Sequence, residues 1–308
     1  MIDSTAAAPL TFLQIHIDAA RNSTDDFNLF HDPRKWDRIR GNPFAGPIVL
    51  GFQLECLVED QLRMNRQQTG EAALIDSHQL RFSNYQFTFA SVVKPSESVQ
   101  VEIKKSQLRL GENAALSNRV AVKGEHGLVL FGFKKESQAP LFLGDVDLSH
   151  LPDFSHQPDR SYVHGTTLFY KRKFMSTGHA KNFLSGSLAD QSVYFDELEE
   201  RVEFPETYPA GLISCALLER ARTNSHDFEK NPMVYTAHNI SVDRQLTRGL
   251  RSNDALHLLV DAPVRLASEK NDDIAQYVHH CYGVLQNGAV LFRAIITMMP
   301  LAAIPKSA

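Results

Sequence analysis

Asp26, Asn28 and His31 fall within one six-residue stretch, Asp26-Phe27-Asn28-Leu29-Phe30-His31, so a carboxylate, an amide and an imidazole lie close together in the chain. A carboxylate and an imidazole at this separation, on a segment passing from loop to helix, can converge on a single water if the backbone folds back. The carboxylate then accepts one hydrogen bond, and the imidazole takes or returns a proton. Asn28 is suited to fix that turn, or to hold one partner, because its side chain can bond nearby backbone. The same residues also have a plainer use: Asp26 or Asn28 caps a short helix and His31 is merely exposed.

Acid/base chemistry beside a carbonyl also needs a donor for the oxygen that gains negative charge. A backbone N–H at the start of a buried helix supplies one, since unpaired amides and the helix dipole both favour negative charge there. The stretch from Pro47 to about Arg66 predicts such a helix: Pro47 stands where a helix can begin, and the run Ile48-Val49-Leu50-Gly51-Phe52 continues apolar through Leu54, Cys56, Leu57, Val58 and Leu62. Gly51 would let such a carbonyl approach the backbone closely. Glu59 is either a charge reaching the solvated end of this helix or a third polar group of the site. Trp36 either lines an acyl tunnel or closes a short helix onto the core.

These residues need elements to position them, and the chain offers the same plan twice. Leu10–Asp18 reads as a short β-type run, followed by the apolar helix and by alternating segments near 79–91, 99–108, 114–122 and 127–134. Residues 137–165 hold Pro140, Pro152 and Pro158 with little periodicity and suit a linker. The plan then restarts: a strand-like run at Thr167–Phe174, a polar segment, a second apolar helix at Tyr208–Glu219, and strands near 234–242, 255–262, 274–284 and 289–298. Adding 164 takes Asp26 to Asp190, Asn28 to Ser192, His31 to Phe195 and Glu55 to Glu219, and one gap of about seven residues then brings Ser96-Glu97-Ser98-Val99 onto Asn253-Asp254-Ala255-Leu256. Duplication, with loss of the imidazole in the second copy, accounts for this pattern. The expected fold class is α+β, with units at 1–136 and 166–308.

Bulk properties exclude several classes. At 308 residues, with 43% hydrophobic and 22% charged residues, the chain has apolar matter for two cores. A net charge of −4 with interspersed signs gives no reason to expect nucleic acid or an anionic membrane as partner. Met1-Ile2-Asp3-Ser4 does not begin a leader, no apolar run is long enough to span a bilayer, and a cytoplasmic location is expected. Cys56, Cys215 and Cys281 are widely spaced and read as buried free thiols, not as a disulfide framework or zinc site. His279-His280-Cys281 lies in a strand, where neighbours face opposite ways, and reads as ordinary sheet residues.

Asp26-x-Asn28-x-x-His31, followed by Gly46-Pro47-Ile48-Val49-Leu50-Gly51-Phe52, resembles the paired motifs of the MaoC-like, or (R)-specific enoyl-CoA hydratase, family. The region Phe87–Val99 is similar to that family's later stretch, so the resemblance spans most of residues 20–135. It implies two tandem hot-dog domains, each a long antiparallel sheet wrapped around a buried helix. Asp26 and His31 become the acid/base pair, Gly51 the oxyanion-hole amide, and Pro47, Ile48 and Phe52, with Trp36 and Glu59, the substrate surroundings. The implied reaction is reversible hydration of a trans-2-enoyl thioester, or dehydration of an (R)-3-hydroxyacyl thioester, on coenzyme A or acyl carrier protein, in fatty-acid or polyketide metabolism. It needs neither metal nor redox cofactor. Asp25, Leu29, Leu50 and Glu59 depart from the family pattern, leaving the acid/base pair intact and the substrate class open. A hot-dog thioesterase and a non-catalytic acyl-thioester binder are the alternatives, and the linked pair of units is compatible with a monomer or a homodimer of pairs.

Overall fold

A computed structural model of the chain describes residues 9–268 and 271–304, and the expectation for Met1–Ser4 lies outside them. In the first half the strands are β1 (Leu10–Thr11), β2 (Phe82–Phe89), β3 (Ser98–Ile103), β4 (Gln107–Arg109), β5 (Ala115–Gly124) and β6 (Gly127–Ser137). The second half holds β7 (Ser161–Tyr162), β8 (Phe169–Phe174), a short ribbon of β9 (Phe195–Asp196) and β10 (Arg201–Val202), β11 (Met233–Asp243), β12 (Ala255–Val260), β13 (Val264–Ser268), β14 (Asn271–Leu285) and β15 (Val290–Pro300). The helices are α1 (Gln14–Thr24), α2 (Gly51–Gln68), α3 (Ala72–Ser77), α4 (Thr177–Gly186), α5 (Thr207–Gly211), α6 (Ile213–Thr223) and α7 (Arg244–Gly249). Among the described residues no helix is long and apolar enough to cross a membrane.

Apart from the β9–β10 ribbon, the strands form one antiparallel sheet, in the order β1-β3-β5-β6-β2-β11-β15-β14-β12-β8-β7, with β4 on β5 and β13 on β14. The two halves meet at the β2–β11 seam, where Tyr85 pairs with Ile240 and Phe82 with Asp243. Asn84 reinforces the seam by accepting from Ser241 Oγ at 2.7 Å, and Arg81 pairs with Asp243 across it. One apolar core runs through both halves and includes Phe52 and Leu57 of α2 and Ile213 and Leu217 of α6. Closing the sheet around these helices leaves backbone ladders paired and both apolar helices buried.

The repeat is visible in backbone detail. Ser96 and Asn253 both adopt left-handed φ, 71° and 73°, just before β3 and β12. Ser96 N–H donates to Phe12 at 2.6 Å, as Asn253 N–H does to Met175 at 2.8 Å. The helix ends, however, shift the expected offset by one. Left-handed Asp25 and Leu188 close α1 and α4, after which Asp26 N–H donates to Arg21 and Ala189 N–H to Leu184. Ala189, not Asp190, therefore occupies the Asp26 position.

Three element expectations are corrected. Only Leu10–Thr11 of the run Leu10–Asp18 is strand; the rest enters α1, whose Ile17, Ala20, Ser23 and Thr24 are buried. The polar segment after Phe174 contains α4, which packs so closely on α1 that a Cβ at Gly186 would lie 2.7 Å from the His16 carbonyl oxygen. The apolar run Tyr208–Glu219 is two helices that break at Leu212. Within the Pro-rich segment, Phe154 and Val163 pack with Tyr170 and Tyr282 of the second half. All three cysteines are buried and unpaired, and His279 to Cys281 are residues of β14.

Candidate active site

Asp26 and His31 are brought together by the tight turn between the end of α1 and a single 3-10 turn at Leu29–His31. The Asp26 Oδ1 accepts from Asn28 N–H at 2.9 Å, and Asn28 Oδ1 accepts from Phe30 N–H at 3.2 Å. Both Asx contacts of the plainer reading are thus present, but His31 is not exposed: it is 5% accessible and Asp26 4%. Asn28 shapes the turn; its side-chain oxygen is committed to Phe30.

His31 Nδ1 lies 2.8 Å from the Ile48 carbonyl oxygen. A carbonyl only accepts, so Nδ1 carries the proton and donates it, leaving Nε2 as the basic nitrogen. Ile48 N–H in turn donates to the Phe30 carbonyl at 2.9 Å, which locks the histidine turn to the approach of α2. Burial pulls the His31 pKa below the ordinary 6.5, and the Asp26 charge opposes that shift without reversing it. The imidazole is therefore neutral at pH 7.

Asp26 lines a cleft of about 580 Å³ between the halves, with Arg21, Phe27, Arg160, Lys171 and Cys215. Its Oδ2 has no bonding partner among the described residues. At the start of α2, the Gly51 N–H likewise has no acceptor among the described residues. A Cβ on Gly51 would lie 2.8 Å from the tip of Phe89 and 3.5 Å from His238 Cε1. The glycine thus permits the close approach of the Phe89 and His238 side chains.

The other expected residues divide. Ile48 and Phe52 are buried beside the site, Ile48 through its carbonyl and Phe52 through its ring, which lies 4.5 Å from the His238 ring. Pro47 is half-buried in the extended approach to α2. Trp36 sits half-exposed in a separate 3-10 turn, outside the apolar cluster of Phe30, Ile39 and Ile48. Glu59 meets neither expectation. Its carboxylate accepts from Glu206 N–H at 2.7 Å and from Thr207 N–H and Oγ1 at 2.9 and 2.7 Å, capping α5 of the other half. Burial, then the neighbouring Glu206 charge, pushes Glu59 up to about 7.

The second half contributes groups that local spacing does not reveal. Tyr235 on β11 hydrogen-bonds Ser214 on α6 at 3.1 Å, and burial followed by the charge of Asp26 holds its phenol far above the usual range. His238, on the same strand, bonds Glu55 of α2 through Nδ1 at 2.9 Å, with both side chains fully buried. His238 Nε2 and Glu55 Oε2 have no partner among the described residues. An orphaned buried polar atom costs about 1–3 kcal/mol, so two in one pair call for an explanation. The signal in the sequence was Glu55, one helical turn past Gly51.

No family model and no curated protein sequence matches the chain. Solved structures do. It superposes on a putative MaoC domain protein dehydratase from Chloroflexus aurantiacus J-10-fl with a TM-score of 0.61 at 11% identity, over 96% of this chain and 93% of that one. It also superposes on a conserved hypothetical protein from Mycobacterium tuberculosis described as a double hotdog fold, with a TM-score of 0.57 at 12% identity and 98% and 97% coverage. The fold is a double hot-dog. A MaoC-like dehydratase, at a TM-score of 0.55, 9% identity and coverage of 95% and 96%, shares it. In this double hot-dog Asp190 is exposed and caps its own turn through Ser192 N–H, and Ala189 stands at the Asp26 position.

Proposed function

We propose that the chain catalyses reversible hydration of trans-2-enoyl thioesters, or dehydration of 3-hydroxyacyl thioesters, with Asp26 and His31 as the acid/base pair. The observation that carries this reading is a buried, neutral imidazole held in one tautomer by Ile48, beside a carboxylate that lines a cleft. One water fits the role between them. As its oxygen adds to C3, His31 Nε2 takes a proton, and the pair delivers a proton to C2, so that one water is consumed and no charge is left over. The enolate-like oxygen is received by the Gly51 N–H at the α2 terminus. Arg160, exposed where it lines the cleft, suits the phosphate of a pantetheine carrier, whether coenzyme A or acyl carrier protein.

Absorbance at the enoyl-thioester band tests the assignment, with crotonyl-CoA and longer analogues as substrates. Asp26→Asn and His31→Ala are each expected to lower kcat by about 10²–10⁴. Turnover that survives both changes would sink it, and release of free thiol with the double bond retained would mark a thioesterase instead.

A further inference from the structure

The fully buried His238–Glu55 pair is made by strand β11 of the second half and helix α2 of the first, and it stands against the first turn of α2. Three aromatic rings enclose the imidazole: Phe52 at 4.5 Å, Phe89 at 4.9 Å and Tyr235 at 4.9 Å between centroids. The side left over faces Gly51, whose built Cβ would meet His238 Cε1 at 3.5 Å. Nε2 is bonded to that carbon. The Gly51 backbone and the His238 ring are therefore neighbours, and the Gly51 N–H and His238 Nε2 both lack an acceptor among the described residues. We propose that His238, oriented by Glu55, is a second hydrogen-bond donor to the thioester carbonyl oxygen, working beside the Gly51 N–H; this rests on the thioester reading above.

The charge arrangement supports a donor. Glu55 is bonded to Nδ1, and burial tolerates the pair far better without net charge, whether as carboxylate and imidazolium or as carboxylic acid and imidazole. In either form Nε2 carries a proton, and no acceptor for it stands among the described residues. A developing oxyanion supplies the acceptor. Phe89 and Tyr235 are the partly exposed rings of the enclosure, and Phe89, whose tip would lie 2.8 Å from a Cβ on Gly51, is the one that an acyl chain reaching the Gly51 N–H has to move aside. Glu55 is then a positioning residue, acting through His238.

The test uses saturated butyryl-CoA labelled with ¹³C at the carbonyl, which binds without a double bond to hydrate. Isotope-edited infrared spectra of the bound thioester are compared for wild type, His238→Gln and Glu55→Gln, with circular dichroism confirming each fold. The expected result is a carbonyl stretch lowered on binding to wild type, restored at least half-way towards the free value in His238→Gln, and intermediate in Glu55→Gln. With crotonyl-CoA, His238→Gln is expected to lower kcat about tenfold or more while KM changes by less than about threefold. A lowered stretch that is unaffected by either variant overturns the proposal and leaves the hydratase reading intact. A His238-dependent stretch without turnover in wild type overturns the hydratase reading and keeps the donor. Absence of any lowered stretch in wild type overturns the donor outright. Should His238→Gln fail to fold, Glu55→Gln decides: an unmoved stretch there counts against the proposal.

Discussion

His31 donates one proton to one backbone carbonyl, and that single bond determines which ring nitrogen is left as the basic one. Its acid/base behaviour follows from burial. The folded pKa lies below the 6.5 of a free imidazole, so at pH values between the two the unfolded chain binds a proton that the folded chain does not. Stability from this group is complete above about 6.5 and is lost as pH falls through the lowered value. The acid limb of kcat/KM should accordingly fall below pH 6.5, measured with crotonyl-CoA from pH 4.5 to 8; a limb at or above 6.5 would mean that another group controls the rate. Asp26, Asn28 and His31 were legible in the sequence because one short segment holds all three, and Asx turns are local chemistry. His238 was not, because 183 residues separate it from Glu55 and only the β2–β11 seam brings the two together.

The elements show where pattern reading succeeds and where it stops. α2 was legible from its apolar run, and β11, β12 and β15 from alternation, because each signal lies within the element itself. α1 and α4 were hidden because each is buried chiefly by the other: α1 turns only Ile17 and small or hydroxyl residues inward, and Gly186 permits the close contact. A stripe of small residues carries little hydrophobic signal. Glu59 was misread for a related reason, since the amides it caps belong to a helix whose start its own neighbours do not specify. Glu59→Ala should leave the Glu206 and Thr207 N–H groups without their acceptor and destabilise the fold by about 1–3 kcal/mol, measured by urea unfolding near neutral pH. Because Glu59 is raised to about 7 from 4.5, its ionisation opposes folding as pH climbs between those values. The penalty of the alanine variant should shrink over that interval; a penalty that grows from pH 4.5 to 7 would show that the capping hydrogen bonds outweigh burial and would contradict the raised pKa.

At the scale of the whole molecule, the sheet and the core are continuous, so the halves are not separate bodies joined by a thread. The motif is nevertheless unequal between them: Asp26 and His31 are buried in one half, while the other presents Ala189 and an exposed Asp190. One acyl thioester should therefore bind per chain. Isothermal titration with butyryl-CoA should give a stoichiometry near one, and two equal sites would show the second half to be active. The β2–β11 seam has a consequence for inheritance. In a dimer of identical subunits every substitution enters the assembly twice, once on each side of the symmetry axis. Here Gly51 and Glu55 are encoded by one half, and Ser214, Tyr235 and His238 by the other. A mutation at the seam is thus delivered in a single dose, and each half is free to specialise without rewriting its counterpart.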